Sequence, residues 1–127
     1  MREEARCRKT YGCPVGAAVD VSGGKWKPVI LWWLHQRTWR FAELRRQIPG
    51  ITEKMLTHQL RELEADDIVI RRVYPSVPPK VEYSLIKYGE SLKAALEVIC
   101  EWGRDHMARI GAEETPLSAV AEAASGG

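Results

Sequence analysis

No segment of this 127-residue chain approaches the roughly 20 apolar residues that a membrane helix needs; the longest apolar run, Val29 to Leu34, is far shorter. Cysteine is sparse and odd in number. Cys7, Cys13 and Cys100 outline no disulfide framework, so reduced thiols are expected. Charged residues at Arg2, Glu3, Glu4, Arg6, Arg8 and Lys9 break any secretory pattern. Together these absences predict a cytoplasmic protein with no membrane partner. Neither the cysteines nor His35, His58 and His106 show the paired spacing of metal ligands, so no metal site is expected. No glycine-rich phosphate loop follows a strand, and Gly23-Gly24-Lys25 lacks the P-loop pattern. No nucleophile has an evident base. Catalysis is therefore not expected, and neither is a cofactor. A strong charge of one sign is also missing, with 19 Lys and Arg against 17 Asp and Glu.

What the chain does have is ordinary apolar content and five tryptophans, which suits one packed domain. Its charge is unevenly spread. Every Lys and Arg lies at or before Arg109, while Glu113, Glu114 and Glu122 fall in the tail. The body is thus mildly basic, which is compatible with a polyanion partner.

Spacing predicts the organisation. Residues 1–12 read as a polar arm, 13–110 as a domain and 111–127 as a tail with little to bury. Cys13-Pro14 looks like a helix start, because proline suits a first helical turn, and Ser22-Gly23-Gly24 ends that helix. A second helix begins near Lys25, with Trp26, Val29, Ile30, Trp33 and Leu34 in a helical stripe. Thr38 to Arg40 reads as a very short strand. Phe41, Leu44 and Ile48 mark a third helix stopped by Pro49-Gly50. Thr52 then stands as the N-cap of a fourth, whose buried stripe is Met55, Leu56, Leu60 and Leu63. Two β-like runs, Ile68 to Tyr74 and Lys80 to Leu85, flank a proline-rich tip and predict a hairpin. A long last helix runs from about Lys87, with an apolar stripe through Ile110. The expected fold is mainly α with a small β-hairpin wing: a winged helix-turn-helix with N- and C-terminal dimerisation helices.

That order of elements points to double-stranded DNA. A recognition helix needs one face for the core and another for the major groove. Setting aside its buried stripe, the fourth helix offers Lys54, Thr57, His58 and Arg61, all able to donate to base edges or phosphates. Thr52 opens it. Arg71, Arg72 and Lys80 would supply a basic wing. Arg40, Arg45 and Arg46 precede the recognition helix, and Lys25 and Lys27 open the second. The competing reading is that these cations form merely solvated faces.

Cys13-Pro14, Gly23-Gly24-Lys25-Trp26, Arg40-Phe41, Glu43-Leu44, Met55-Leu56-Thr57, Leu60-Arg61, Leu63-Glu64, Arg71, Glu82-Tyr83-Ser84-Leu85, Gly89, Leu92 and Trp102-Gly103 appear in order. This series resembles the HxlR family of winged helix-turn-helix transcriptional regulators (MarR/DUF24-like) over roughly residues 13–107. The resemblance implies a homodimer joined through its terminal helices, with two recognition helices in successive major grooves, regulating nearby genes. Two positions depart from the pattern. Asp67 stands where the family favours glycine, and Ile86 where it favours a capping threonine.

Val15, Leu92, Leu96, Ile99, Trp102 and Met107 are the candidate dimer residues; the alternative is that the last helix is ordinary core. Cys13, at a helix N-terminus where partial positive charge favours thiolate, is a candidate redox or electrophile sensor; otherwise it is a small packed residue. Several relatives in the family sense electrophiles or oxidants through a cysteine placed this way. Cys7 is a possible resolving partner, and Cys100 is expected in the core, as are Trp26, Trp33 and Trp102. Trp32 and Trp39 are less clearly placed and are candidates to line a pocket for an aromatic effector. Two other functions stay open: a winged-helix protein-interaction module that never touches DNA, and a small-molecule-binding protein.

Overall fold

The computed structural model describes residues 10–113. Most of the expected arm and tail, with Cys7, Arg6, Arg8 and Lys9, lies outside the described residues.

Helix α1 spans Pro14–Ser22, with Pro14 in its first turn and Cys13 as an extended N-cap. Helix α2 spans Lys27–Leu34. It begins two residues later than the stripe suggests, because Gly24 at φ +82° carries a turn through Lys25 and Trp26. Strand β1 is Trp39–Arg40, and α3 follows at once as Phe41–Gln47. Gly50, at φ +86°, lets the chain reverse between Ile48 and Ile51, both buried. Helix α4, Glu53–Ala65, buries Leu56, Leu60 and Leu63; Met55 is only half-covered.

Helix α4 ends in a Schellman motif: Ile68 N–H donates to Leu63 O at 2.9 Å and Asp67 N–H to Glu64 O at 3.1 Å. Asp67 takes the left-handed position, at φ 57°, that the family gives to glycine; aspartate is among the few residues that tolerate it. Because Ile68 serves this motif, β2 starts one residue later than expected, at Val69, and runs to Tyr74. Strand β3 is Lys80–Leu85. The sheet is antiparallel in the order β1-β3-β2.

The core lies where α2, α3 and α4 meet this sheet, around Ile30, Leu31, Leu44, Leu56, Leu60, Leu63 and Ile68. Trp33 and Trp39 close one side edge-to-face, centroids 5.5 Å apart, and Trp39 Nε1 donates to Trp33 O at 2.8 Å. Trp39 is thus a core residue rather than a pocket wall.

The long last helix is divided in two. Helix α5 covers only Lys87–Glu90, α6 covers Leu92–Ile110, and Ser91 separates them. Ile86, the N-cap of α5, has no side-chain cap, as its apolar side chain dictates. Gly89 is needed here: a Cβ on it would stand 2.2 Å from Ile68 O, so α5 packs directly on backbone. Leu92 and Leu96 rest against the core. Beyond them Val98, Ile99, Trp102 and Ile110 are exposed, Trp102 at 68%. Trp102 and Cys100 are therefore not core residues of this chain. The domain is too small to cover more than the first turns of α6.

Candidate nucleic-acid interface

The exposed face of α4 is built by spacing. Lys54, Thr57, His58 and Arg61 lie at i, i+3, i+4 and i+7, so they share one side of the helix, opposite Leu56, Leu60 and Leu63. Lys54, His58 and Arg61 are exposed and Thr57 is partly covered. The helix is started by Thr52, whose Oγ1 accepts from Met55 N–H at 3.1 Å; this satisfies one of the unpaired first-turn donors. Arg45 Nη1 reaches Glu53 Oε1 at 3.5 Å, tying α3 across the turn to the first residue of α4.

Lys27 does not belong to this surface. It is 8% exposed, and its Nζ lies 3.2 Å from Glu62 Oε1. As the first residue of α2, it braces that helix against α4 through this pair. Glu62 also lies 3.4 Å from His58 Nε2, so one carboxylate joins the α2 start to the exposed face of α4. Lys25 stays outside, its Nζ 4.8 Å from the centre of the Trp26 ring. The Trp26 ring edge approaches Gly50, which puts Lys25 beside the helix-turn-helix turn.

In the wing, register decides which cations share a face. Arg40 pairs with Glu82, and Glu82 with Arg72, so these three form one row across the sheet. Lys80, two residues before Glu82 and on the same face, places Nζ 3.3 Å from Glu82 Oε2 and 5.1 Å from the Tyr74 ring centre. Arg71 falls in the other row, opposite buried Tyr83, and is itself exposed. Among the described residues, Arg46, Lys54, Arg61, Arg71 and Arg72 have no carboxylate within 4 Å. The carboxylates Glu53, Glu62 and Glu82 escape a reading that inventories donors. Two spacings in the chain point to them: His58 and Glu62 at i,i+4 on a helix, and Lys80 and Glu82 at i,i+2 on a strand.

Near β1, Arg40 N–H donates to Glu43 Oε1 at 3.1 Å. That backbone bond, aided by the charges of Arg37, Arg40 and Arg46, holds the Glu43 carboxyl below the usual carboxylate range. Arg37 stacks on Trp39, 3.5 Å from the ring centre. At the other end of the domain, Cys13 is exposed where α1 begins. Val15 and Val19 on α1 are exposed as well. Of the candidate dimer residues on α6, Ile99 and Trp102 are open, Met107 is half-covered, and Leu92 and Leu96 are shared with the core. Trp102 stacks on His106 at 5.2 Å. A cleft of about 460 Å³ between α2 and α6 includes Val29, Trp32, His35, Leu96 and Cys100 in its walls.

The described residues hold no group of three or more His, Cys, Asp or Glu arranged for a metal, and no helix among them is long and apolar enough to cross a membrane. The arrangement offers donors and cations for an extended polyanion.

The profile of the HxlR-like helix-turn-helix family matches residues 21–110. The HTH-type transcriptional regulator YtcD of Bacillus subtilis (strain 168), itself described as uncharacterized, is 52% identical over 103 residues, covering 81% of this chain and 82% of that protein. Two solved structures are similar in fold and sequence. The redox regulator HypR in its reduced form superimposes with a TM-score of 0.74 at 47% identity, over 78% of this chain and 98% of that one. Its oxidized form gives 0.69 at 52% identity, over 73% and 96%.

Proposed function

The chain belongs to the HxlR-like helix-turn-helix family, and from that premise we propose that it is a homodimeric regulator that binds a palindromic operator through α4 and the wing. That it is a transcriptional regulator with a helix-turn-helix fold follows from the family and its relatives. The observation that carries the finer reading is the α4 face: Lys54, Thr57, His58 and Arg61 project together from a helix whose other side is locked into the core. Lys54 and Arg61 donate to guanine edges or phosphates, and Thr57 and His58 supply shorter contacts. Arg45, Arg46, Lys25, Arg40, Arg71, Arg72 and Lys80 supply phosphate contacts around them, and Thr52 fixes where the helix begins. The wing and this donor face weigh against a protein-interaction module, which needs neither.

The homodimer rests on α1 and α6. Val15, Val19, Ile99, Trp102 and Ile110 expose apolar surface that water penalises and a second copy would cover. A two-fold dimer reads half-sites about 34 Å apart, one helical turn of DNA.

Regulation through Cys13 is the second element of the proposal. Its thiol is exposed at the N-terminus of α1, next to the proposed dimer surface, and the similar protein HypR is described as a redox regulator with oxidized and reduced forms. The cleft at Trp32 supports a further role for a small aromatic effector.

The test is selection of bound duplexes from a random pool, then titration of the winner against salt. A palindrome bound far more tightly than random DNA, with several ions released, supports the reading. Absence of enrichment with both reduced and oxidised protein refutes it. Alkylating Cys13 tests the sensor: unchanged operator affinity in the alkylated protein removes that role.

A further inference from the structure

In the outer row of the wing sheet one carboxylate, Glu82, lies in register with two arginines and in contact with one lysine. Glu82 is directly opposite Arg72 on one neighbouring strand and Arg40 on the other, and opposed residues in antiparallel strands have Cβ atoms about 4.5–5.5 Å apart. Lys80, on the same face of β3, closes to 3.3 Å. The Glu82 side chain is 23% exposed and that of Lys80 36%, so the carboxylate lies deeper and the cation nearer the rim. Tyr74 flanks Lys80 from across the hairpin.

On the reading that this wing grips DNA phosphates, we propose that Glu82 is an internal counter-ion and positioning residue for the wing. Its carboxylate occupies, on the Lys80 ammonium, the place that a phosphate oxygen takes in the complex, between the register positions of Arg40 and Arg72. Docking the wing then exchanges one anion for another. The free protein thereby keeps the long Lys80 side chain held on the outer face, which lowers the ordering cost of its contact. In return, a cation already neutralised by Glu82 displaces fewer ions from DNA, and a carboxylate left beside phosphate repels it. Glu82 thus trims the sequence-independent part of the affinity, which is mostly electrostatic.

The experiment compares the wild-type chain with Glu82→Gln, Lys80→Gln, the double variant, and Glu97→Gln on α6 as a general-charge comparator. Each is titrated against one selected duplex across a salt series. Glu82→Gln is expected to steepen the salt slope by about 0.9 and to raise affinity at moderate salt about fivefold, with Glu97→Gln near wild type. Lys80→Gln is expected to lose more affinity in the Glu82→Gln background than alone, because only there is Lys80 free to engage phosphate. The proposal is overturned by a Glu82→Gln slope equal to or shallower than wild type, by an equal effect of Glu97→Gln, or by additive Lys80 and Glu82 effects. Any of these results in a wild-type protein that binds DNA with a clear salt slope leaves the DNA reading intact. A wild-type protein with no salt-dependent duplex binding overturns both.

Discussion

Lys27 provides the sharpest test of how the site is supported, because its ammonium is buried and meets Glu62 at 3.2 Å. The perturbations are Glu62→Gln, which removes one partner's charge, and Lys27→Met, which removes the buried charge and keeps an unbranched apolar stem. At this separation the gross attraction is about 5 kcal/mol for an effective dielectric of 20. Desolvation of Lys27 opposes most of it. Removing one member of a fully buried pair costs about 3–5 kcal/mol. Glu62 is 46% exposed, so water screens the pair, and we expect about 2 kcal/mol of destabilisation for Glu62→Gln. Lys27→Met leaves no orphaned charge in the interior and should stay within about 1 kcal/mol of wild type. In the Lys27→Met background, Glu62→Gln should cost little more. Urea unfolding with unchanged m-values reads these differences. Because Lys27 points inward, Lys27→Met should also keep wild-type affinity for duplex DNA. A Lys27→Met protein less stable than Glu62→Gln, or one that loses DNA binding while folded, would refute the argument.

Three further outcomes follow from the geometry. Arg61→Ala should cost about 1–3 kcal/mol on the specific operator and relax specificity at one base position, whereas Arg72→Ala should weaken all sequences alike and flatten the salt slope; equal losses for Arg61→Ala on specific and random duplexes would remove its base-reading role. Thr52→Ala removes the acceptor for Met55 N–H and should cost about 1 kcal/mol; an unchanged urea midpoint would mean that water replaces the cap. Glu43 has a carboxyl pKa held down chiefly by the Arg40 N–H, so the folded state binds its proton less readily than the unfolded chain. Its stabilisation is present above the unfolded carboxylate pKa and is lost as pH falls through the lower folded value. Glu43→Gln should therefore flatten the acid limb of stability against pH, and a limb as steep as wild type would assign acid sensitivity to other groups.

Much of the fold was readable because its causes are local. The apolar period of α4, the Pro14 start of α1, the Thr52 cap and the paired β-like runs each act within a few residues. Hydrogen bonds and side-chain spacing repeat there in ways that a linear pattern displays. The shared face of Lys54, Thr57, His58 and Arg61 was readable for the same reason, since helical geometry alone brings them together, whereas β1, expected over Thr38 to Arg40 and formed by Trp39–Arg40, is held by distant β3. Asp67 was recognisable as a left-handed position from the resemblance, and the Schellman hydrogen bonds explain why.

A linear pattern does not display contacts between elements. Lys27 looked like another cation at a helix start, yet its surroundings are set by how α2 leans on Glu62 of α4. Trp102 and Cys100 shared a helical stripe with Leu92 and Leu96. Periodicity shows which side of α6 is apolar, not how far the domain extends to cover it. Trp39 became core only because its ring meets Trp33 and its indole N–H finds a carbonyl.

By itself, then, the sequence determined the order of the elements, the starts of α1 and α4, the hairpin and the donor-bearing face of α4, because backbone hydrogen bonding and side-chain periodicity act over a few residues. Only the tertiary structure decided which cations face outward, which carboxylates hold them, and how much of α6 remains uncovered. Burial and charge pairing depend on residues far apart in the chain, and their strength is set by distances that exist only once the elements pack.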